Sequence, residues 1–295
     1  MEKRTAAVSE IPPRVTEWQR FRRVFFARGV VVFGLAVLIL LLLLAVFAPQ
    51  LAPYNPYKQE MGNALQPASR QHLLGTDQFG RDTLSRLIYG SRTALMVGFI
   101  SVSLAAFMGI TLGVIAGYFG KVTGLVIMRF IDTMMPFPLI LLALLIAALL
   151  GGGMKNLIVS LAIATIPPYA RIMNGETLSI KENDYVLALR SMGSGHARII
   201  FSHILPNAFP AIMVNMTLQL GQLILTEASL SFLGIGIEPP GAAWGSMVND
   251  GYRYLLTNPV LSITPGVCIM IVVFAFNMVG DGLTDALNPR LRGTL

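Results

Sequence analysis

Residues 29–48 read GVVVFGLAVLILLLLLAVFA, an unbroken apolar run without one charged side chain. At about 1.5 Å per residue, a helix of that length crosses the roughly 30 Å of hydrocarbon in a bilayer. Five more stretches read the same way: 93–118, 122–150 (bent at Pro136 and Pro138), the short 157–169, 209–237 and 260–279. Of the 295 residues 54% are hydrophobic and 13% charged, against about 25% charge in soluble domains. The mean hydropathy is +0.66. A single soluble core cannot hide so much apolar surface, and in lipid a helix satisfies its own backbone. The expected fold is an all-α integral membrane protein with six transmembrane helices.

Six spans put both termini on one side, and basic residues choose which. The amino-terminal tail carries Lys3, Arg4, Arg14, Arg20, Arg22, Arg23 and Arg28. With that tail in the cytosol, Lys121, Arg129, Arg171, Lys181, Arg190, Arg198, Arg290 and Arg292 are cytosolic too, giving an N-in, C-in topology. The expected organisation is a cytosolic tail (1–28), a first span (29–48), an extracytoplasmic segment (49–92), a core of five spans (93–283) and a cytosolic tail (284–295). A cleaved signal peptide competes for the first span, since VFA precedes Pro49. Its apolar run exceeds the usual 7–15 residues or so of such a peptide, so it is expected to stay as an anchor.

Residues 182–207, ENDYVLALRSMGSGHARIIFSHILPN, interrupt the apolar pattern. Placed in mid-bilayer, Glu182, Asp184, Arg190 and Arg198 would each cost about 2.5–3.5 kcal/mol, while each Leu, Ile, Val or Phe returns about 0.3–0.6 kcal/mol. The segment therefore belongs outside the hydrocarbon, in a cytosolic loop spanning 174–207 between the fourth and fifth spans. Tyr185, Ala188, Leu189 and Met192 follow the spacing of one helix face. Gly193 allows the positive φ that ends a helix, and Ser194 can cap the next. Ile199, Ile200 and His203 make a second stripe, which Pro206 is expected to break. Such a hairpin either links two spans or docks a cytosolic partner.

The residues of this hairpin resemble the cytoplasmic loop of ABC importer permeases, E-A-A-x3-G-x9-I-x-L-P, with Gly193, Leu205 and Pro206 in register. The resemblance is closer to the permeases of the oligopeptide, dipeptide, nickel and glutathione family, whose loop is matched by Tyr185, Val186, Ala188, Arg190, Gly193, His203, Ile204, Leu205, Pro206 and Asn207. Leu187, Leu189 and His203 stand where the general pattern has Glu, Ala and Ile. Residues 74–98 (LGTDQFGRDTLSRLIYGSRTALMVG), 229–247 and 275–293 resemble further family signatures in the same order. In the last of these, Thr284 and Asn288 stand where the family often has Arg and Asp.

The resemblance implies a complex of this chain with a second homologous permease, two P-loop ATPase subunits and an extracytoplasmic substrate-binding protein, embedded in the lipid of a bacterial inner membrane. The hairpin, from Asp184 through Tyr185, Ala188, Leu189, Arg190 and Gly193 to His203, Leu205 and Pro206, would transmit ATPase movement to the spans. No G-x4-G-K-[ST] occurs, and GGGMK (151–155) lacks its spacing. The chain is thus expected to be no enzyme and to bind no cofactor, with ATP and Mg on the ATPase subunits. Peptides are the expected cargo; nickel, glutathione and oligosaccharides stay open.

Gly109, Gly113 and Gly117 form two overlapping G-x3-G units, which let helices approach closely in lipid; the neighbour is either in this chain or in the partner permease. Glu227, deep in the fifth span, either lines the route or gate or makes a hydrogen-bonded helix contact. Asp132 is one turn from Arg129, a spacing that allows an ion pair. Asp281 and Asp285 follow the sixth span and either meet the ATPases or are solvated. Leu84, Leu87 and Ile88, beside Arg81, Asp82 and Arg86, suggest a separate helix along the outer interface. Trp244, Tyr252 and Tyr254 are placed at that interface as well.

Other function classes find little support. The net charge of +7 comes with no basic run interleaved with aromatics, so nucleic acid is not an expected partner. Cys268 is the single cysteine, which excludes an internal disulfide and a Cys-based zinc site. His72 lies across the membrane from His196 and His203, so no metal site is expected. No nucleophile, base and orienting group occur together. An ion-coupled secondary transporter would lean on Glu227 alone and has no need of a docking hairpin.

Overall fold

The computed structural model of the chain describes residues 16–287. Lys3, Arg4, Arg14, Asn288, Arg290 and Arg292 lie outside the described residues. Within them the chain is helical, and the one β-type pairing is an isolated bridge between Thr76 and Asp82. In chain order the helices are α1 (Glu17–Phe25), α2 (Gly29–Val46), α3 (Ala48–Leu51), α4 (Thr83–Phe119), α5 (Lys121–Met134), α6 (Leu139–Leu150), α7 (Met154–Ala164), α8 (Ile166–Lys181), α9 (Asp184–Ser191), α10 (His196–Ile199), α11 (Leu205–Phe232), α12 (Trp244–Tyr252) and α13 (Val260–Leu287). Five helical units are long and apolar enough to cross a membrane: α2, α4, α7 with α8, α10 through α11, and α13. The α5–α6 pair passes the same test only as a broken unit, bent by 93°. The bend follows from Pro136 and Pro138, which cannot continue a helix.

Several boundaries differ from those read off the sequence. Leu84, Leu87 and Ile88 are not in a separate interfacial helix; they form the first turns of α4, which runs 37 residues without a break. Asp82 caps it, its Oδ2 accepting from the Ser85 backbone N–H at 2.8 Å. No helix breaker follows, and Gly90 makes room for Trp244: a Cβ there would lie 2.5 Å from the indole Cδ1. Trp244 is accordingly buried, donating from Nε1 to the Leu87 carbonyl at 2.9 Å.

The fourth unit is longer than the stretch 157–169. Pro167 and Pro168 fall in the first turn of α8, where a missing N–H costs no hydrogen bond, so the helix continues to Lys181. The loop therefore begins at Glu182, and not at residue 174. Pro206 likewise fails to break the helix it enters. A π-helical turn, Ile200–Ile204, joins α10 to α11, and its wider hydrogen-bond spacing accommodates the ring. The helix then ends at Phe232, short of 237. At the carboxyl end Asp281 and Asp285 lie inside α13, and Asp285 pairs with Arg28 at 2.8 Å. Asp132 pairs with Arg171 of α8 at 2.8 Å, in place of the local Arg129.

α4 and α8 are packed through glycine. A Cβ at Gly109 would lie 2.5 Å from Tyr169 Cβ, one at Gly113 2.8 Å from Met173 Cβ, and one at Gly117 2.7 Å from Thr177 Cβ. The neighbour of this glycine ridge is thus α8 of the same chain. Where lipid removes the hydrophobic drive, such close backbone approach supplies dispersion contact in its place. The main core, including Val97, Ala105, Leu161, Leu223 and Ile224, joins α4, α7 and α11.

Candidate functional site

α9 and α10 form a hairpin at one end of the bundle. α9 ends in a left-handed turn: Gly193 has φ of 80°. Its N–H donates to the Arg190 carbonyl at 3.0 Å, and the Ser194 N–H reaches back to the Leu189 carbonyl at 3.0 Å. That 5→2 and 6→1 pair is a Schellman cap, for which glycine is the favoured residue. The next helix is capped by Gly195, not by Ser194, and without a side-chain bond.

One face of the hairpin is locked into the bundle. Val186, Ile199, Ile204 and Ala208 are fully buried against Val114, Met173 and Ile180. The last turn of α4 reaches it through Tyr118, whose hydroxyl lies 2.8 Å from His196 Nδ1. The Arg190 guanidinium carbon stands 5.6 Å from the centre of the Tyr118 ring, within cation–π range. Lys181 Nζ donates to the Gly117 carbonyl at 2.8 Å. At the base, Asn207 Nδ2 donates to the Tyr185 hydroxyl at 3.3 Å and to the His203 carbonyl at 2.6 Å.

The other face is bare. Asp184, Tyr185, Leu187, Ala188, Arg190 and Met192 are exposed, Met192 at 74%. Ala188 and Met192 therefore point away from this chain, Tyr185 is exposed while its hydroxyl still accepts from Asn207, and Leu189 is half-buried. Leu205 and Pro206 start α11, where Pro206 and Asn207 border an open cleft of about 710 Å³ between α8, α11 and α13. Glu176 and Asn215 line the same cleft.

Glu227 lies elsewhere, near the far end of α11. It is 2% exposed, and Ser231 Oγ donates to its Oε1 at 2.8 Å. Close backbone contacts surround it: a Cβ on Gly236 would collide with Ser231, and one on Gly245 with the Ala228 carbonyl. The carboxyl thus sits where α11 meets the 234–243 loop and α12.

A buried charge cluster at this same end was missed in the sequence. Arg81 Nε lies 2.6 Å from Asp77 Oδ2, and Arg86 Nε lies 3.5 Å from the same oxygen. Arg86 also donates to the carbonyls of Pro56 at 3.2 Å and Gly241 at 3.3 Å. His72 Nδ1 pairs with Asp82 Oδ1 at 2.9 Å. The D-x3-R and R-x4-R spacings around residues 77–86 were the available signal, but the acceptors that bury the arginines come from distant loops.

The segment that carries roughly the last three turns of α4, the hairpin and α13 also matches a family model. Residues 109–293 match the binding-protein-dependent transport system inner membrane component, and residues 16–68 the N-terminal TM domain of oligopeptide transport permease C. The chain belongs to the first family. It is a multi-pass inner-membrane permease of the C type in the ABC peptide-transport group. Among relatives, this permease is 39% identical to the dipeptide transport system permease protein DppC of Alkalihalophilus pseudofirmus, over 94% of this chain and 91% of the other. It is 40% identical to the glutathione transport system permease protein GsiD of Pectobacterium atrosepticum, over 94% and 92%. The permease fold is shared with a chain of the inward-facing MetNI methionine ABC transporter, at TM-score 0.55 and 22% identity, covering 69% of this chain and 96% of that one. It is shared too with a chain of an amino acid ABC transporter, at TM-score 0.52 and 19% identity, covering 67% and 92%.

Proposed function

We propose that this permease forms half of a peptide-import pathway and that its hairpin couples the pathway to ATP hydrolysis on other subunits. The bare face of α9, backed by a face locked into the bundle, is the observation that carries this reading. An exposed apolar stripe on a rigidly mounted helix suits a partner's groove, and movement of that partner would be passed to α4 and α11 through Tyr118 and the buried cluster around Val186. In this reading the bent α5–α6 pair is the sixth crossing, both termini are cytosolic, and the hairpin is cytosolic with them.

The complex comprises this chain, a second homologous permease, two P-loop ATPase subunits carrying ATP and Mg, and an extracytoplasmic substrate-binding protein. No cofactor is assigned to this chain. Di- and oligopeptides are the proposed cargo, supported by relatives named for dipeptide and glutathione transport. The direct test tags the chain at its native locus, identifies co-purifying proteins by mass spectrometry, and measures uptake of labelled dipeptide, glutathione and nickel. Recovery of a second permease with P-loop ATPases, and ATP-dependent dipeptide uptake, is expected. Recovery of the chain alone with proton-driven uptake would replace this reading with a secondary transporter.

A further inference from the structure

α1 lies outside the machinery described so far and has a construction of its own. A capping box starts it, the Gln19 N–H donating to Thr16 Oγ1 at 3.3 Å and the Thr16 N–H to Gln19 Oε1 at 3.3 Å. Phe21 and Phe25 stack with ring centroids 5.5 Å apart. Phe25 is buried with Val31, Val279 and Ala286, so this face is pinned to α13. Gly282 permits the fit, since a Cβ there would lie 2.7 Å from Val31 Cγ1.

The adjoining face has a different chemistry. Trp18, Arg22 and Phe26 recur every fourth residue and therefore share one side of the helix and its cap. Trp18 is 70% exposed although it stacks on Phe21 at 5.7 Å, and Phe26 is 48% exposed. Arg22 and Arg23 are exposed, and neither has an acidic partner among the described residues. Arg28, by contrast, is paired with Asp285. α2, the first apolar helix, begins at Gly29. The arginine-and-aromatic stripe thus ends at Phe26, within about one helical turn of the start of α2, with Arg22 about two turns and Trp18 about three turns ahead of it.

We propose that the Trp18–Arg22–Phe26 stripe, with Arg23 beside it, is a binding site for anionic phospholipid headgroups. The aromatic rings suit the depth of the headgroup–acyl boundary, and the guanidinium groups suit phosphate. A basic side chain beside an anionic surface is worth roughly five-fold in binding, so the two together predict about 30-fold preference at low salt, falling as salt rises. Bound headgroups would hold α1 against α13, tying the lipid to the helix that packs on α2 and α11.

The test uses the full chain in phosphatidylcholine nanodiscs doped with brominated phosphatidylglycerol or brominated phosphatidylcholine. The chain has two tryptophans, so the Trp18 signal is the difference between the parent and a Trp18→Phe variant. Brominated phosphatidylglycerol is expected to quench Trp18 at a mole fraction at least ten-fold lower than brominated phosphatidylcholine does. In Arg22→Gln/Arg23→Gln that preference is expected to vanish while quenching by phosphatidylcholine persists, because Phe21 and Phe25 still hold the helix. Equal quenching in the parent, or a preference untouched by the double substitution, overturns the proposal. Absence of quenching by either lipid overturns it as well, and assigns the stripe to a protein partner.

Discussion

The Tyr118 hydroxyl and His196 Nδ1, 2.8 Å apart, join the last turn of α4 to the first turn of α10. The Tyr118 ring also sits beside Arg190, so a displacement of α9 is felt at the end of the longest helix. Substitution of Tyr118 by Phe removes that one bond and keeps the packing. The expected result is normal membrane abundance with uptake reduced several-fold and ATP hydrolysis retained, measured on the reconstituted complex. Uptake equal to the parent would show that motion passes through the apolar cluster alone.

Gly193 provides a sharper test of the same path. Its φ of 80° is one that an L-residue adopts at a cost of about 1–2 kcal/mol, and a β-branched residue at more. Nothing lies within 4 Å of a Cβ placed there, so the penalty is conformational and not steric. Gly193→Val is expected to leave the protein in the membrane but to cut uptake at least ten-fold and weaken ATPase co-purification. Gly193→Asn, which tolerates the left-handed region, should keep most of the activity. Equal behaviour of the two variants would detach uptake from the cap.

This turn was legible in the sequence because its cause is local: a glycine after an amphipathic repeat has few other uses. The face of α9 was only half legible. Tyr185, Ala188 and Met192 could be grouped by spacing, but which side is buried is decided by Val186, whose partners Val114 and Met173 come from α4 and α8. The fourth span was read too short because α8 carries its helix past residue 169 into the polar run up to Lys181. Pro206, read as a stop, was absorbed by the π-turn, an outcome set by position within the helix. The Arg81–Asp77–Arg86 cluster was invisible for a third reason. Its burial depends on Pro56 and Gly241, brought together only by the tertiary fold.

That cluster predicts a stability effect separable from transport. Asp77 is 7% exposed and faces both Arg81 and Arg86. Asp77→Asn leaves the buried Arg86 without an ion-pair partner and Arg81 with only Asp250 at 3.7 Å, a loss of about 3–5 kcal/mol for a broken buried pair. The detergent-solubilised protein is expected to unfold at a clearly lower temperature. Asp132→Asn, which breaks an exposed pair with Arg171, should cost no more than about 1 kcal/mol. Similar melting of the two variants would mean that the Asp77 cluster is not a structural hub.

Glu227 divides its two readings through a pair of substitutions. Its bond from Ser231 needs only an acceptor oxygen, which glutamine supplies. If the carboxyl serves helix packing, Glu227→Gln should match the parent in abundance and uptake, while Glu227→Ala, which leaves a cavity and an unpartnered Ser231 hydroxyl, should lower abundance by destabilising about 2 kcal/mol or more. The burial of Glu227 at 2% and its setting against the 234–243 loop favour this outcome. Wild-type abundance of Glu227→Gln with lost or altered peptide selectivity would instead make the charge itself part of the route. Immunoblotting of membranes beside competition uptake with charged and neutral dipeptides separates the two.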